Sequence, residues 1–105
     1  MDSVFTERQD GPVTVITFTT ESLMSATEMD RISDALGRAV EAGGPKFLLD
    51  CTKLRYLSSQ AIGMLLGLRK KVAAKSGGKL VLRGVGPQLM ELLKITSLHR
   101  VFTIE

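Results

Sequence analysis

Phe47–Leu68, reading Phe-Leu-Leu-Asp-Cys-Thr-Lys-Leu-Arg-Tyr-Leu-Ser-Ser-Gln-Ala-Ile-Gly-Met-Leu-Leu-Gly-Leu, decides the reading of this chain. An apolar strand runs to Asp50 and a short loop follows. Two hydroxyl side chains, Ser58 and Ser59, then stand where a helix must begin. The first turn of a helix carries backbone N–H groups with no intrahelical partner, and a serine there caps one of them. The same end of the helix dipole favours negative charge. A phosphate placed there would change a surface without entering a core.

Working outward, Val4–Gln9 and Val13–Thr19 are rich in Val, Ile, Phe and Thr, with Asp10-Gly11 between them. That pattern predicts a hairpin turning at Asp10-Gly11, with Pro12 restricting the start of its second strand. Met29, Ile32, Ala35, Leu36, Ala39 and Val40 recur at helical spacing up to Gly43-Gly44, and Ser25 or Thr27 can cap this helix. Lys46–Cys51 reads as a strand after Pro45, Ser59–Lys75 as a helix stopped by Gly77-Gly78, and Lys79–Arg83 as a strand. Pro87–Leu93 reads as a short helix with proline in its first turn, and Arg100–Ile104 as a last strand. After the hairpin, helices alternate with strands, which argues for an α/β sheet with parallel crossovers.

The chain of 105 residues has room for one domain over residues 1–105 and one core. Its longest apolar runs fall far short of a membrane span. Met1-Asp2-Ser3 lacks the basic start of a signal peptide, and the one cysteine, Cys51, has no disulfide partner within the chain. A cytoplasmic protein without membrane insertion is therefore expected. No Cys/His cluster points to a metal, and no glycine-rich loop with its lysine points to a nucleotide, so no cofactor is expected. Net charge is only +3, and the basic residues Arg69, Lys70, Lys71, Lys75 and Lys79 have no interleaved aromatics. They read better as a solvated helix end than as a nucleic-acid surface.

Within the helix after Ser59, Ile62, Leu65, Leu66, Leu68 and Val72 form an apolar stripe for the core. Gly63 and Gly67 lie beside it, one turn apart. Each costs roughly 1 kcal/mol relative to alanine, so something offsets that cost. Close approach of a partner and close packing inside the domain are equally open readings. Met64, next to Gly63, suits either the core or an adaptable interface. His99 is the only histidine, falling in the loop before the last strand, and no base is placed beside Ser59. Catalysis is not expected.

Asp50-Cys51-Thr52 followed by Tyr56-Leu57-Ser58-Ser59-Gln60-Ala61-Ile62-Gly63 resembles the signature of the STAS domains (sulphate transporter and anti-sigma factor antagonist). There, a strand ending in Asp-Leu-Ser leads to Phe-hydrophobic-Asp-Ser-Ser-Gly-Leu-Gly. Similar register continues through Gly77–Leu82, Gly84–Pro87, Leu92–Leu98 and Val101–Ile104. The resemblance implies a single STAS-like domain with a mixed sheet of about five strands. An N-terminal hairpin would be followed by parallel strands, with three or more helices packed on the sheet.

It also implies an anti-sigma factor antagonist that binds an anti-sigma factor with serine-kinase activity, with a phosphatase as a further candidate partner. Ser59 takes the phosphoacceptor position, and the partner surface would comprise Ser58, Ser59, Gln60, Gly63, Met64 and Gly67. Ser58 stands where the family has Asp. Glu21 keeps one acid of the family's Gly-Glu-Leu-Asp segment, whose Asp is missing here. A STAS subunit of an ABC-type transporter, a non-phosphorylated scaffold and a small-molecule or nucleotide-binding domain are the other readings.

Overall fold

The computed structural model describes residues 4–24 and 26–105. β1 (Phe5–Asp10) and β2 (Val13–Phe18) form an antiparallel hairpin. Asp10 pairs with Val13, so the two loop residues are Gly11 and Pro12, one position later than expected. Gly11 has φ +60°, the left-handed region that glycine enters without penalty. A glycine at the first central position is what a type II′ hairpin turn requires.

β3 (Ser22–Leu23) leads into α1 (Ala26–Ala42). Met29, Ile32, Leu36, Ala39 and Val40 are buried along one face of α1, as their helical spacing predicts. Ser25 and the Thr27 side chain, the expected caps, lie outside the described residues. β4 (Lys46–Asp50) follows, then β5 (Tyr56–Leu57), α2 (Ser59–Ala73), β6 (Lys79–Arg83) and α3 (Pro87–Ile95). A short 3₁₀ turn, Leu98–Arg100, and β7 (Thr103–Ile104) complete the fold. The last strand is shorter than expected because Leu98 takes the N–H groups of Val101 and Phe102 into that turn. His99 sits within it.

The main sheet has the order β1-β2-β4-β6-β7, antiparallel only at the hairpin. Parallel neighbours need crossovers, and α1, α2 and α3 supply them in turn. Pleating sends alternate residues to opposite faces. Ile16, Phe18, Phe47, Leu49, Leu80 and Leu82 face the helices and form the core with Met29, Leu36, Leu65, Leu68, Val72, Leu89 and Leu93. The expected fold class, a five-stranded mixed sheet with three helices, is observed.

The ends of α1 and α2 are tied together by Lys75. Its Nζ donates to the Val40 carbonyl, to Gly43 O at 2.8 Å and to Gly44 O at 3.4 Å, and lies 5.4 Å from the Phe47 ring centroid. A cation here meets the carbonyl groups that the end of α1 leaves unpaired. Arg69 Nε donates to Val101 O at 2.9 Å. Lys79 belongs to the sheet rather than to the helix end. Arg69, Lys75 and Lys79 of the basic run therefore serve separate structural positions.

Candidate functional site at the start of helix α2

A feature the sequence did not reveal sets the position of this helix. β3 and β5 pair in parallel as a separate two-stranded ribbon, with Ser22 opposite Tyr56 and Leu23 opposite Leu57. The Glu21 carbonyl accepts the N–H groups of Arg55 and Tyr56 at 2.7 and 3.0 Å, and Leu23 O accepts Ser58 N–H at 3.0 Å. The ribbon thus holds the chain up to the residue that starts α2. Leu54 and Leu57 are buried beneath it.

Ser58 is the N-cap of α2. Its backbone is extended, with φ −75° and ψ 166°, and its Oγ accepts the Ala61 N–H at 3.1 Å. Its carbonyl accepts the first intrahelical bond, from Ile62 N–H at 3.0 Å. Asp and Ser are nearly equivalent caps. Serine therefore starts this helix without placing a carboxylate at its first turn. Ser59 is the first residue of α2 and is exposed. Among the described residues, no group bonds its hydroxyl.

Gln60, Gly63 and Gly67 are also exposed. A Cβ built on Gly63 or Gly67 meets nothing within 4 Å, so internal packing does not explain either glycine. The buried face of α2 is Ala61, Met64, Leu65, Leu68 and Val72. Ile62 and Leu66, expected in the stripe, are only partly buried, at its flank. Met64 is 9% exposed and belongs to the core. The expectation that its side chain serves an interface is corrected, because helical geometry turns it in with Ala61 and Leu68.

Two exposed apolar side chains flank this end of α2. Tyr56 is 49% exposed, and its hydroxyl accepts a hydrogen bond from Gln88 Nε2 at 3.3 Å. Met24, 56% exposed, immediately follows the Leu23 whose carbonyl receives Ser58 N–H. Sequence reasoning missed Met24, since a two-residue strand carries too little alternation to show which side chain points out. Glu21 and Arg55 make a 3.9 Å pair between exposed groups, a contact worth little in itself.

The loop entering the site is set by Asp50, whose Oδ1 accepts from Thr52 N–H at 3.0 Å and from Thr52 Oγ1 at 2.6 Å. The Thr52 hydroxyl holds the Asp50 carboxyl below its usual range, with smaller help from the Thr52 N–H and from Arg83 and Arg8. Cys51 is buried, and burial, aided by the Asp50 charge, pushes its thiol up to about 12. It stays protonated and serves as a small apolar residue.

The start of α2 thus brings together a ribbon-held helix end, the Ser59 hydroxyl with no partner among the described residues, two exposed glycines and two exposed flanking side chains. The STAS domain family model matches residues 5–105.

This chain belongs to the STAS domain family.

Solved structures agree on the fold. An anti-sigma factor antagonist (STAS) domain protein from Planctomyces limnophilus superposes with a TM-score of 0.82 at 24% identity, covering 96% of this chain and 87% of that one. An anti-sigma factor antagonist from Mycobacterium paratuberculosis gives 0.76 at 19% identity, covering 95% and 82%. The phosphorylated form of the Bacillus cell fate determinant SpoIIAA gives 0.70 at 16% identity, covering 96% and 90%. A search of curated proteins found no matching relative. Among the described residues, no helix of this STAS domain is long and apolar enough to cross a membrane, and no cluster of His, Cys, Asp or Glu could hold a metal ion.

Proposed function

We propose that this STAS domain acts by binding, as an anti-sigma factor antagonist, and that phosphorylation of Ser59 releases its partner. The observation that carries the reading is the exposed Ser59 hydroxyl, unpartnered among the described residues, at the start of a helix whose adjacent outward residues are Gly63 and Gly67. The partner is an anti-sigma factor with serine-kinase activity, which supplies the ATP chemistry, and a phosphatase resets the switch. The docking surface comprises Ser58, Ser59, Gln60, Gly63 and Gly67, extended by Met24 and Tyr56. Met64 supports it from beneath.

Division of labour between the two serines supports choosing Ser59. The Ser58 Oγ already accepts the Ala61 N–H, so phosphorylating it would alter the cap itself. Ser59 carries no such duty. The missing carboxylate at Ser58 removes an acid a partner could read, and it implies a partner with its own matching surface. Incubation with the cognate kinase and ATP, followed by phosphopeptide mapping, tests the assignment. Phosphate on Ser59 is expected; phosphate on Ser58 alone would overturn it. Tight binding to a transporter ATPase, with none to an anti-sigma factor, would favour the transporter-subunit reading.

A further inference from the structure

The face of the sheet turned away from the helices carries its own chemistry. Val15, Leu48 and Val81 are successive cross-strand partners on β2, β4 and β6. One row along, Val13 pairs with Lys46, and Lys46 pairs with Lys79. These six residues line a shallow hollow of about 270 Å³. Val15 is only 3% exposed, whereas Leu48 and Val81 are partly exposed.

The charges around the hollow are unequally satisfied. Arg83 donates to Glu105 Oε1 through Nε and Nη2, both at 3.2 Å. Asp50 is held by Thr52 and also feels Arg83 and Arg8. Arg8 has Asp10 two residues on, along the same face. Among the described residues, Lys46 and Lys79 have no acidic partner within ion-pair distance. Neighbouring strands lie only about 4.8 Å apart, and like charges directly opposite each other destabilise a sheet. Two adjacent ammonium groups beside an apolar floor complement one kind of ligand.

We propose that this face binds a small amphipathic organic anion, a medium-chain carboxylate. Its head lies between Lys46 and Lys79 and its chain lies across Leu48 and Val81, which are partly exposed. A second copy of the chain fits less well. Five strands by five residues of rise offer on the order of 400 Å², against about 800 Å² per partner in a stable interface. The hollow falls just below the usual range of about 300–1,000 Å³ for ligand pockets, which selects a small occupant. The site lies on the opposite face from α2 and at the opposite ends of β4 and β6 from its start. It is therefore independent of the proposal for Ser59.

The test is a methyl-NMR titration of the full chain with octanoate at pH 7, alongside 1-octanol and acetate at equal concentrations. Saturable shifts are expected on the methyls of Val13, Leu48 and Val81, weakening as salt screens the head group. Octanol and acetate should not saturate them. The Lys46→Gln/Lys79→Gln variant should bind at least tenfold more weakly. Because both lysines are exposed, it should melt at the same temperature as the parent or higher. Shifts confined to other parts of the molecule, equal binding of octanol, or unchanged affinity in the double variant would overturn the proposal. So would no saturable shift at all.

Discussion

Replacing both Gly63 and Gly67 by alanine separates a structural role from an interfacial one. Glycine within a helix costs roughly 1 kcal/mol relative to alanine. At both positions the new methyl enters open space, with nothing within 4 Å to push against it. No clash offsets the gain, and the sites share no internal partner, so the two contributions should nearly add to about 2 kcal/mol. For a domain of this size, that corresponds to a rise in melting temperature of roughly 8–12 °C. Thermal unfolding followed by circular dichroism measures the rise. Calorimetric titration against an identified anti-sigma factor measures the other half. If a partner closes over this face, the stabilised variant should bind at least tenfold more weakly, and Gly63→Arg should abolish detectable binding while the domain stays folded. A fall in melting temperature would show that the glycines serve internal packing. A rise with unchanged affinity would move the interface elsewhere.

Ser58→Ala removes the cap and should cost about 1 kcal/mol in urea denaturation, whereas Ser58→Asp should restore most of it, since either side chain can accept the Ala61 N–H. Lys75→Met leaves the carbonyls of Val40, Gly43 and Gly44 without their shared cation and should cost about 2–3 kcal/mol. Unchanged stability would mean that water replaces the ammonium without loss. Thr52→Val withdraws the hydroxyl whose hydrogen bond favours the ionised form of Asp50. With the folded carboxyl below its ordinary value of 3.8, that stabilisation is present above pH 3.8 and lost as pH falls through the folded value. The variant should be the less stable protein near neutrality, and the gap should close in acid. A pH-independent difference would show that the hydroxyl acts through packing alone.

Much of the architecture was legible because apolar periodicity and punctuation agreed. Met29 to Val40 repeat at helical spacing before Gly43-Gly44, and Lys79–Arg83 is bounded by Gly77-Gly78 and Gly84. The β3–β5 ribbon was not legible, because four residues held by neighbouring carbonyls leave no pattern to read. The inward turn of Met64 was left open for a different reason. The predicted stripe of Ile62, Leu65, Leu66, Leu68 and Val72 omitted Ala61, which at 0% exposed marks its true edge. Ser58 and Ser59 could be placed at a helix start from sequence, but only coordinates distinguish the cap from the free hydroxyl. The uncovered sheet face required the register, which brings Lys46 beside Lys79 across a long stretch of chain.

The phosphate proposed for Ser59 would act at an interface and not on the fold. Near the start of α2, a group carrying about −1.5 to −2 charges meets the favourable end of the helix dipole, worth about 0.3–1 kcal/mol when exposed. In a complex, the same charge must be desolvated against the partner, at a cost of roughly several kcal/mol if no cation pairs with it. A micromolar complex is worth only about 8 kcal/mol. The most direct measurement is the affinity of the unmodified and Ser59-phosphorylated chain for one anti-sigma factor, with melting curves for both forms. Binding should weaken at least a hundredfold while the melting temperature stays the same or rises slightly. Equal affinities, or lost binding with a collapsed melting temperature, would contradict the account.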